Sequence, residues 1–135
     1  MYTTYDPKTG RIVNVISDRR LADGLPCIPG TYLASDYYVR NNRPYKYPAR
    51  PGPGSWRWDV TDEVWLFDAE QTAHQIRQLR DQALARVDRV NPMWYESIGQ
   101  QRQEQLQAYR QALLDITDQP GFPRQVQWPV RPEWL

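Results

Sequence analysis

His74 and Cys27 are the only histidine and the only cysteine in 135 residues, and these are the side chains that most often act as a base or a soft nucleophile near neutral pH. Catalysis by either needs an activating partner held beside it. His74 follows Thr72-Ala73 inside a stretch of helical composition, and no motif places a serine or cysteine nucleophile next to it. It therefore reads as a helix-surface histidine. A metal site needs several His, Cys, Asp or Glu residues at ligand spacing, and phosphate binding needs a glycine-rich loop; the chain has neither pattern. Adjacent acids such as Asp62-Glu63 belong to a turn rather than to a pair flanking a scissile bond. The expectation is a non-catalytic chain with no cofactor and no metal.

The chemistry that the residues do offer is that of contact. Six Trp and nine Tyr each bring a large apolar area with a polar tip, a profile common at protein–protein interfaces. Arg outnumbers Lys fifteen to two, which suits forked pairing with carboxylates and stacking on rings, although genome composition alone can bias arginine use. The partner-binding or tail-docking candidates are Trp94, Tyr109, Arg110, Asp115, Phe122, Trp128, Pro129 and Trp134. Trp58, Trp65 and Tyr109 are also the natural fillers of a thin core. Arg110 and Asp115 are five apart, the wrong spacing for a good intrahelical pair, so each is free to reach elsewhere. An oligosaccharide-binding module using Trp56, Trp58 and Trp65 is a different class of reading.

These side chains must be positioned by short elements. Tyr2 to Tyr5, the turn Asp6-Pro7-Lys8-Thr9-Gly10 and Arg11 to Ile16 predict a β-hairpin. Residues 18–54 hold six prolines and should be loop and edge strand, with short strands within Thr31 to Val39 and Arg43 to Tyr47 split by Asn41-Asn42. Trp56 to Val60 and Val64 to Phe67 predict a second hairpin. Asp59-x-Thr61 in its turn echoes Asp6-x-x-Thr9 in the first, as common turn residues do. Beyond Phe67 the composition turns to Ala, Gln, Leu, Arg and Asp. Asp68 caps a helix with Gln71 reaching back, its apolar stripe running through Ala69, Ala73, Ile76, Ala83, Val87 and Val90, widened by Leu79 and Leu84, until Pro92 ends it. A second helix should run from Ser97–Gln100 to about Thr117, with Leu106, Tyr109, Leu113 and Ile116 on one face. Pro120-Gly121-Phe122-Pro123 then stops it, and an extended arm carries Trp128 and Trp134. Phe122 and Trp128 are expected to fold back beside Tyr109 and Leu113; the alternative is that the arm docks on a neighbouring protein, where an extended Pro-rich segment loses less entropy on ordering. The fold class is α+β: a β-rich region 1–67 with two hairpins and Pro-rich loops, an antiparallel helical hairpin 68–118 and an extended tail 119–135.

Bulk properties narrow the partners. Gly and Pro make up 19 of 135 residues and mean hydropathy is −0.82, so the core must be thin and the helical hairpin needs further cover. Residues 1–60 hold nine basic and five acidic side chains, and 61–135 hold eight and eleven. That is too weak a basic excess for a nucleic-acid partner, whose phosphates supply most of the affinity. The N-terminus lacks the pattern of a signal peptide and no apolar run reaches a membrane span, so a cytoplasmic chain without a membrane partner is expected.

Gln107-Ala108-Tyr109-Arg110-Gln111-Ala112-Leu113-Leu114-Asp115-Ile116-Thr117, then Gln119-Pro120-Gly121-Phe122-Pro123 and Val126-x-Trp128-Pro129-x-x-Pro132, closely resembles the C-terminal signature of phage tail assembly chaperone proteins. Ile76-Arg77, Arg80-Asp81, Leu84 and Asp88 look like the first helix of that family, so the resemblance covers roughly 64–132; residues 1–60 are more loosely similar to short phage tail proteins encoded near tail fibres. Leu114 stands where many relatives carry Arg, and Gly99 where a Thr or Ser cap is usual. The resemblance implies a role in tail morphogenesis in the bacterial host cytoplasm, by binding another tail polypeptide, a fibre or baseplate subunit. It also accommodates a permanent structural component of the virion tail, with oligomeric states inside a tail assembly.

Overall fold

The computed structural model describes residues 1–135 in full. The chain folds as α+β and divides into two compact units: Met1–Pro51 with Trp58–Trp65, and Gly52–Arg57 with Leu66–Leu135. Counted by unit, the first holds eight basic and seven acidic residues and the second nine of each, so the charge polarity of the two sequence halves vanishes once residues are grouped by packing.

In the first unit β1 (Tyr2–Tyr5) is the central strand of a three-stranded sheet, antiparallel to β2 (Ile12–Ile16) on one side and to β3 (Cys27–Pro29) on the other. A register shift between Thr4 and Tyr5 accommodates the turn, where the Asp6 carboxylate accepts from the Lys8 N–H at 2.8 Å. Gly10 then adopts φ 73° and lies so close to Val39 that a Cβ would stand 2.4 Å from its carbonyl oxygen, which restricts the position to glycine. The strand interior is polar but satisfied. Thr3 and Thr4 are fully buried, and their hydroxyls donate to the Gly30 and Asn14 carbonyls at 2.8 and 3.2 Å. Tyr5, Ile28 and Val39 form the small apolar core, flanked by Ile12 and Tyr32.

β4 (Tyr37–Arg40) and β5 (Arg43–Lys46) pair antiparallel around Asn41 and Asn42, both at positive φ, which asparagine tolerates better than most residues. A third hairpin joins β6 (Trp56–Asp59) to β7 (Val64–Phe67). The expectation of two hairpins is thus corrected to three, with β3 as an added edge strand. Asp59 closes the last turn by accepting from the Thr61 N–H at 3.0 Å, the same use made of Asp6.

The second unit is helical. Asp68 caps α1 (Ala69–Asp88) by accepting from the Gln71 N–H at 3.0 Å, and the Thr72 hydroxyl bridges the Asp68 carbonyl and the Ser55 N–H. The helix ends at Asp88, short of Pro92, because Asn91 caps a new helix, α2 (Pro92–Ser97), in which Pro92 takes the first position where no N–H is needed. Gln103 and Gln107 of α3 (Gln100–Leu114) donate to the Tyr95 carbonyl and hydroxyl at 2.8 and 2.7 Å and hold α2 against α3. α3 tightens into a 3-10 turn over Asp115–Asp118 rather than continuing as α-helix to Thr117. Val87, Leu106 and Leu113 are the buried centre, with Ala83, Leu84, Val90, Trp94, Tyr95 and Tyr109 around them.

Candidate functional site

The C-terminal arm and the helices it lies on carry all eight candidate side chains. After the 3-10 turn the Gln119 carboxamide makes two 2.8 Å hydrogen bonds to the backbone of Gln127, donating to its carbonyl and accepting from its N–H, which closes residues 119–127 into a loop. Inside it, Gly121 carries a carbonyl that accepts from the Gln125 N–H at 2.8 Å, and a Cβ on Gly121 would stand 2.8 Å from the Gln125 carbonyl oxygen. The Phe122–Pro123 peptide is cis. Beyond Gln127 the arm has no regular structure and lies along α3.

The arm is fastened at its end. The Trp134 indole N–H donates to Gln105 Oε1 at 2.7 Å, its ring lies 6.2 Å from that of Trp94, and the Arg102 guanidinium sits over it at 5.5 Å. Trp134 and Leu135 pack on the Val87, Leu106 and Leu113 cluster together with Tyr109. Arg131 turns back to donate to the Leu135 carbonyl. Of the candidates, Trp94, Tyr109 and Trp134 are therefore brought together, and Pro129 joins Ala108, Tyr109 and Ala112 along a trough of about 530 Å³ beside α3.

The others are placed apart from that cluster. Arg110 reaches across to α1 and pairs with Asp88 at 2.8 Å, whereas Asp115 accepts from Gln111 at 3.0 Å on its own helix. Phe122 lies under the Arg77 guanidinium at 5.5 Å. Trp128 is 42% exposed and lines a cleft of about 260 Å³ against α1, where Ile76 and Leu79 face Pro123 and Val126. The arm does fold back, but Trp134 and Leu135, not Phe122 and Trp128, are what lie against Tyr109 and Leu113. The reason is reach: the Gln119–Gln127 clamp holds the intervening loop on α1, and only residues beyond it extend along α3.

Sequence reasoning missed Leu79 as an exposed contact residue, because a helical stripe marks it as core; here it is 54% exposed. It also missed Arg124, whose guanidinium lies 5.2 Å from the Phe67 ring centre and 5.8 Å from that of Trp56. No sequence signal pointed to that pairing. The departures Gly99 and Leu114 fall on the exposed surface: Gly99 precedes α3 at φ 88° without a side-chain cap, and Leu114 is 36% exposed.

In the first unit, Trp58 and Trp65 belong to a nest of rings with Tyr38, Tyr45 and Tyr47, their centroids 5.0 to 5.7 Å apart. Trp58 Nε1 is buried there without a hydrogen-bond partner, and ring faces are the acceptors such a nest offers. Glu63 at the hairpin turn accepts from Arg40 at 2.7 Å and from the Tyr38 hydroxyl at 3.2 Å. The Arg40 hydrogen bond holds the Glu63 carboxyl below the usual range, while burial, reinforced by the Glu63 charge, pushes the Tyr38 hydroxyl up. Burial likewise raises Tyr47. His74 is exposed on α1 beside Asp68, Glu70 and Arg77, and Cys27 lies half-buried on β3. No group of three or more His, Cys, Asp or Glu side chains is arranged to hold a metal ion, and no helix is long and apolar enough to cross a membrane.

No curated protein and no solved structure matches the chain. A family model does: the one described as phage tail assembly chaperone protein matches residues 73–133, from the first turns of α1 through α3 and nearly the whole arm. That stretch holds the α3 surface on which the arm is fastened and most of the open cleft beside Trp128, and over it the chain is similar to the phage tail assembly chaperone protein family.

Proposed function

We propose that the helical unit captures another tail polypeptide, a fibre or baseplate subunit, and holds it until assembly, acting in the bacterial host cytoplasm without catalysis. The observation that carries this reading is apolar surface left uncovered by the arm. Leu79 is 54% exposed, Trp128 42% and Val130 90%, all within the unit to which the family match belongs. Exposed apolar residues scattered singly need no explanation, but here Leu79 and Trp128 line one cleft with Ile76, Pro123 and Val126. Water ordered over such a cleft is released when a partner's side chain fills it.

The test is co-expression with the fibre and baseplate subunits of the same phage, followed by affinity capture. Wild type should retain a stoichiometric partner and Leu79→Asp should lose it, because a carboxylate there must be desolvated on docking. Equal capture by both would refute the reading. Mass spectrometry of purified virions distinguishes release from retention: stoichiometric presence in the particle would make the chain a permanent component of the tail.

A further inference from the structure

The Trp128 cleft has a chemical bias that the uncovered apolar surface alone does not give it. Ten residues line it, and Arg124 is the only charged one. Its floor is aliphatic and aromatic, with Ile76, Leu79 and Trp128. None of the four ion pairs in the structure includes Arg124, and its guanidinium makes no hydrogen bond to any other residue. It is nevertheless held in place, because its planar head lies near the rings of both Phe67 and Trp56, which favour the cation without using its five N–H donors.

An arginine fixed by rings, with its donors free, at the rim of an apolar cleft is pre-organised for a carboxylate. Little side-chain entropy remains to be lost when the pair forms, and the planar fork can bind a carboxylate through two parallel hydrogen bonds. The cleft is also of a size for a single large side chain, at about 260 Å³. We propose that the partner segment docking here is an acidic–apolar one, in which a leucine-sized or phenylalanine-sized side chain fills the cleft and a neighbouring Asp or Glu carboxylate pairs with Arg124. This inference rests on the reading of the helical unit as a docking surface and adds the chemistry of what docks.

The experiment uses the full chain and four acetylated, amidated octapeptides with Gly and Ser flanks, whose central dipeptides are Leu-Glu, Leu-Gln, Leu-Lys and Ser-Glu. Binding is read from the indole N–H resonance of Trp128 in an NMR titration. The Leu-Glu peptide should shift that resonance with a Kd at least about tenfold below that of Leu-Gln, a preference expected when a positioned charge pair is lost. Leu-Lys should be weaker still, and Ser-Glu should leave the resonance unmoved. Arg124→Gln keeps much of the stem packed on Phe67 and Trp56 while removing the charge, and it should abolish the preference for Glu over Gln; far-UV CD confirms that the helices survive. Equal binding of Leu-Glu and Leu-Gln to wild type overturns the acidic specificity, and so does an unchanged preference in Arg124→Gln. A Leu-Glu peptide that never perturbs Trp128 overturns the inference whatever Leu79→Asp does to capture. Only if Leu79→Asp also captures its partner normally does the docking reading fall with it.

Discussion

Two tryptophans of the arm, six residues apart, should respond oppositely to truncation. Trp134 is largely covered, tilted against Trp94, roofed by Arg102, and hydrogen-bonded to Gln105. A buried Trp side chain removes on the order of 150–200 Å² from water, which at about 25 cal/mol per Å² corresponds to roughly 4–5 kcal/mol. Releasing the arm's last residues recovers about 1–2 kcal/mol of backbone entropy for each residue that becomes mobile, so only part of that figure survives as a loss of stability. Trp134→Ala should therefore destabilise the helical unit by about 2–3 kcal/mol, below the roughly 3–5 kcal/mol typical of a fully buried Trp. For a unit of this size that lowers Tm by roughly 10–20 °C. Trp128→Ala, at 42% exposure, should cost about 1 kcal/mol or less while weakening partner capture. Thermal melts followed by far-UV CD, where the helices dominate, measure the first effect, and affinity capture the second. A Trp134→Ala protein that melts with wild type would refute the idea that the arm is fastened at its end. A Trp128→Ala protein that loses stability but not capture would reverse the roles assigned here.

Gly10→Ala should destabilise the β unit by about 2–3 kcal/mol or more, since it adds both left-handed strain at φ 73° and a Cβ 2.4 Å from the Val39 oxygen; denaturant titration followed by near-UV CD of the tyrosine and tryptophan nest reads it. The Glu63 carboxyl is depressed in the folded protein, so its contribution is present above its unfolded pKa and is lost as pH falls through the folded value, while the raised Tyr38 hydroxyl contributes below its unfolded pKa and is lost as pH rises through its folded one. Tm should accordingly be level from about pH 6 to 9 and fall below about pH 5 and above about pH 10; Glu63→Gln should flatten the acid limb and, because the Glu63 charge helps to raise Tyr38, make the alkaline limb shallower without removing the part that burial sets. The Arg110–Asp88 pair is half exposed on both sides, so a double-mutant cycle with Ala at each position should return a coupling of only about 0.2–1 kcal/mol, shrinking with added salt; a coupling of several kcal/mol would mean that the pair organises the two helices.

Legibility in the sequence followed the range of the interaction that fixes each element. The turn at Asp6 to Gly10, the Asn41-Asn42 turn and the Asp68 cap are set by side chains acting on backbone a few residues away, and the structure places them where the local pattern does. Leu106, Leu113 and Ile116 are buried, as their helical spacing predicts. The match of residues 73–133 to the family agrees with a resemblance carried by aromatic and proline residues at fixed offsets.

What escaped a linear reading depends on distant partners. Cys27–Pro29 is a strand only because β1 offers it an open edge some two dozen residues away, and Pro92 opens a helix rather than merely ending one because Asn91 caps it and Gln103 and Gln107 seize Tyr95. A helical stripe says which residues share a face but not how wide a partner covers it, so Leu79 looks the same in sequence whether buried or open. An extended arm has no period at all, and nothing local distinguishes Trp128 from Trp134. Residue types and short-range spacing determined the elements, their caps and the aromatic supply. Only tertiary packing decided which tryptophan fastens the arm and which stays open, because that choice is made by the Gln119–Gln127 clamp and the surfaces of α1 and α3 acting together.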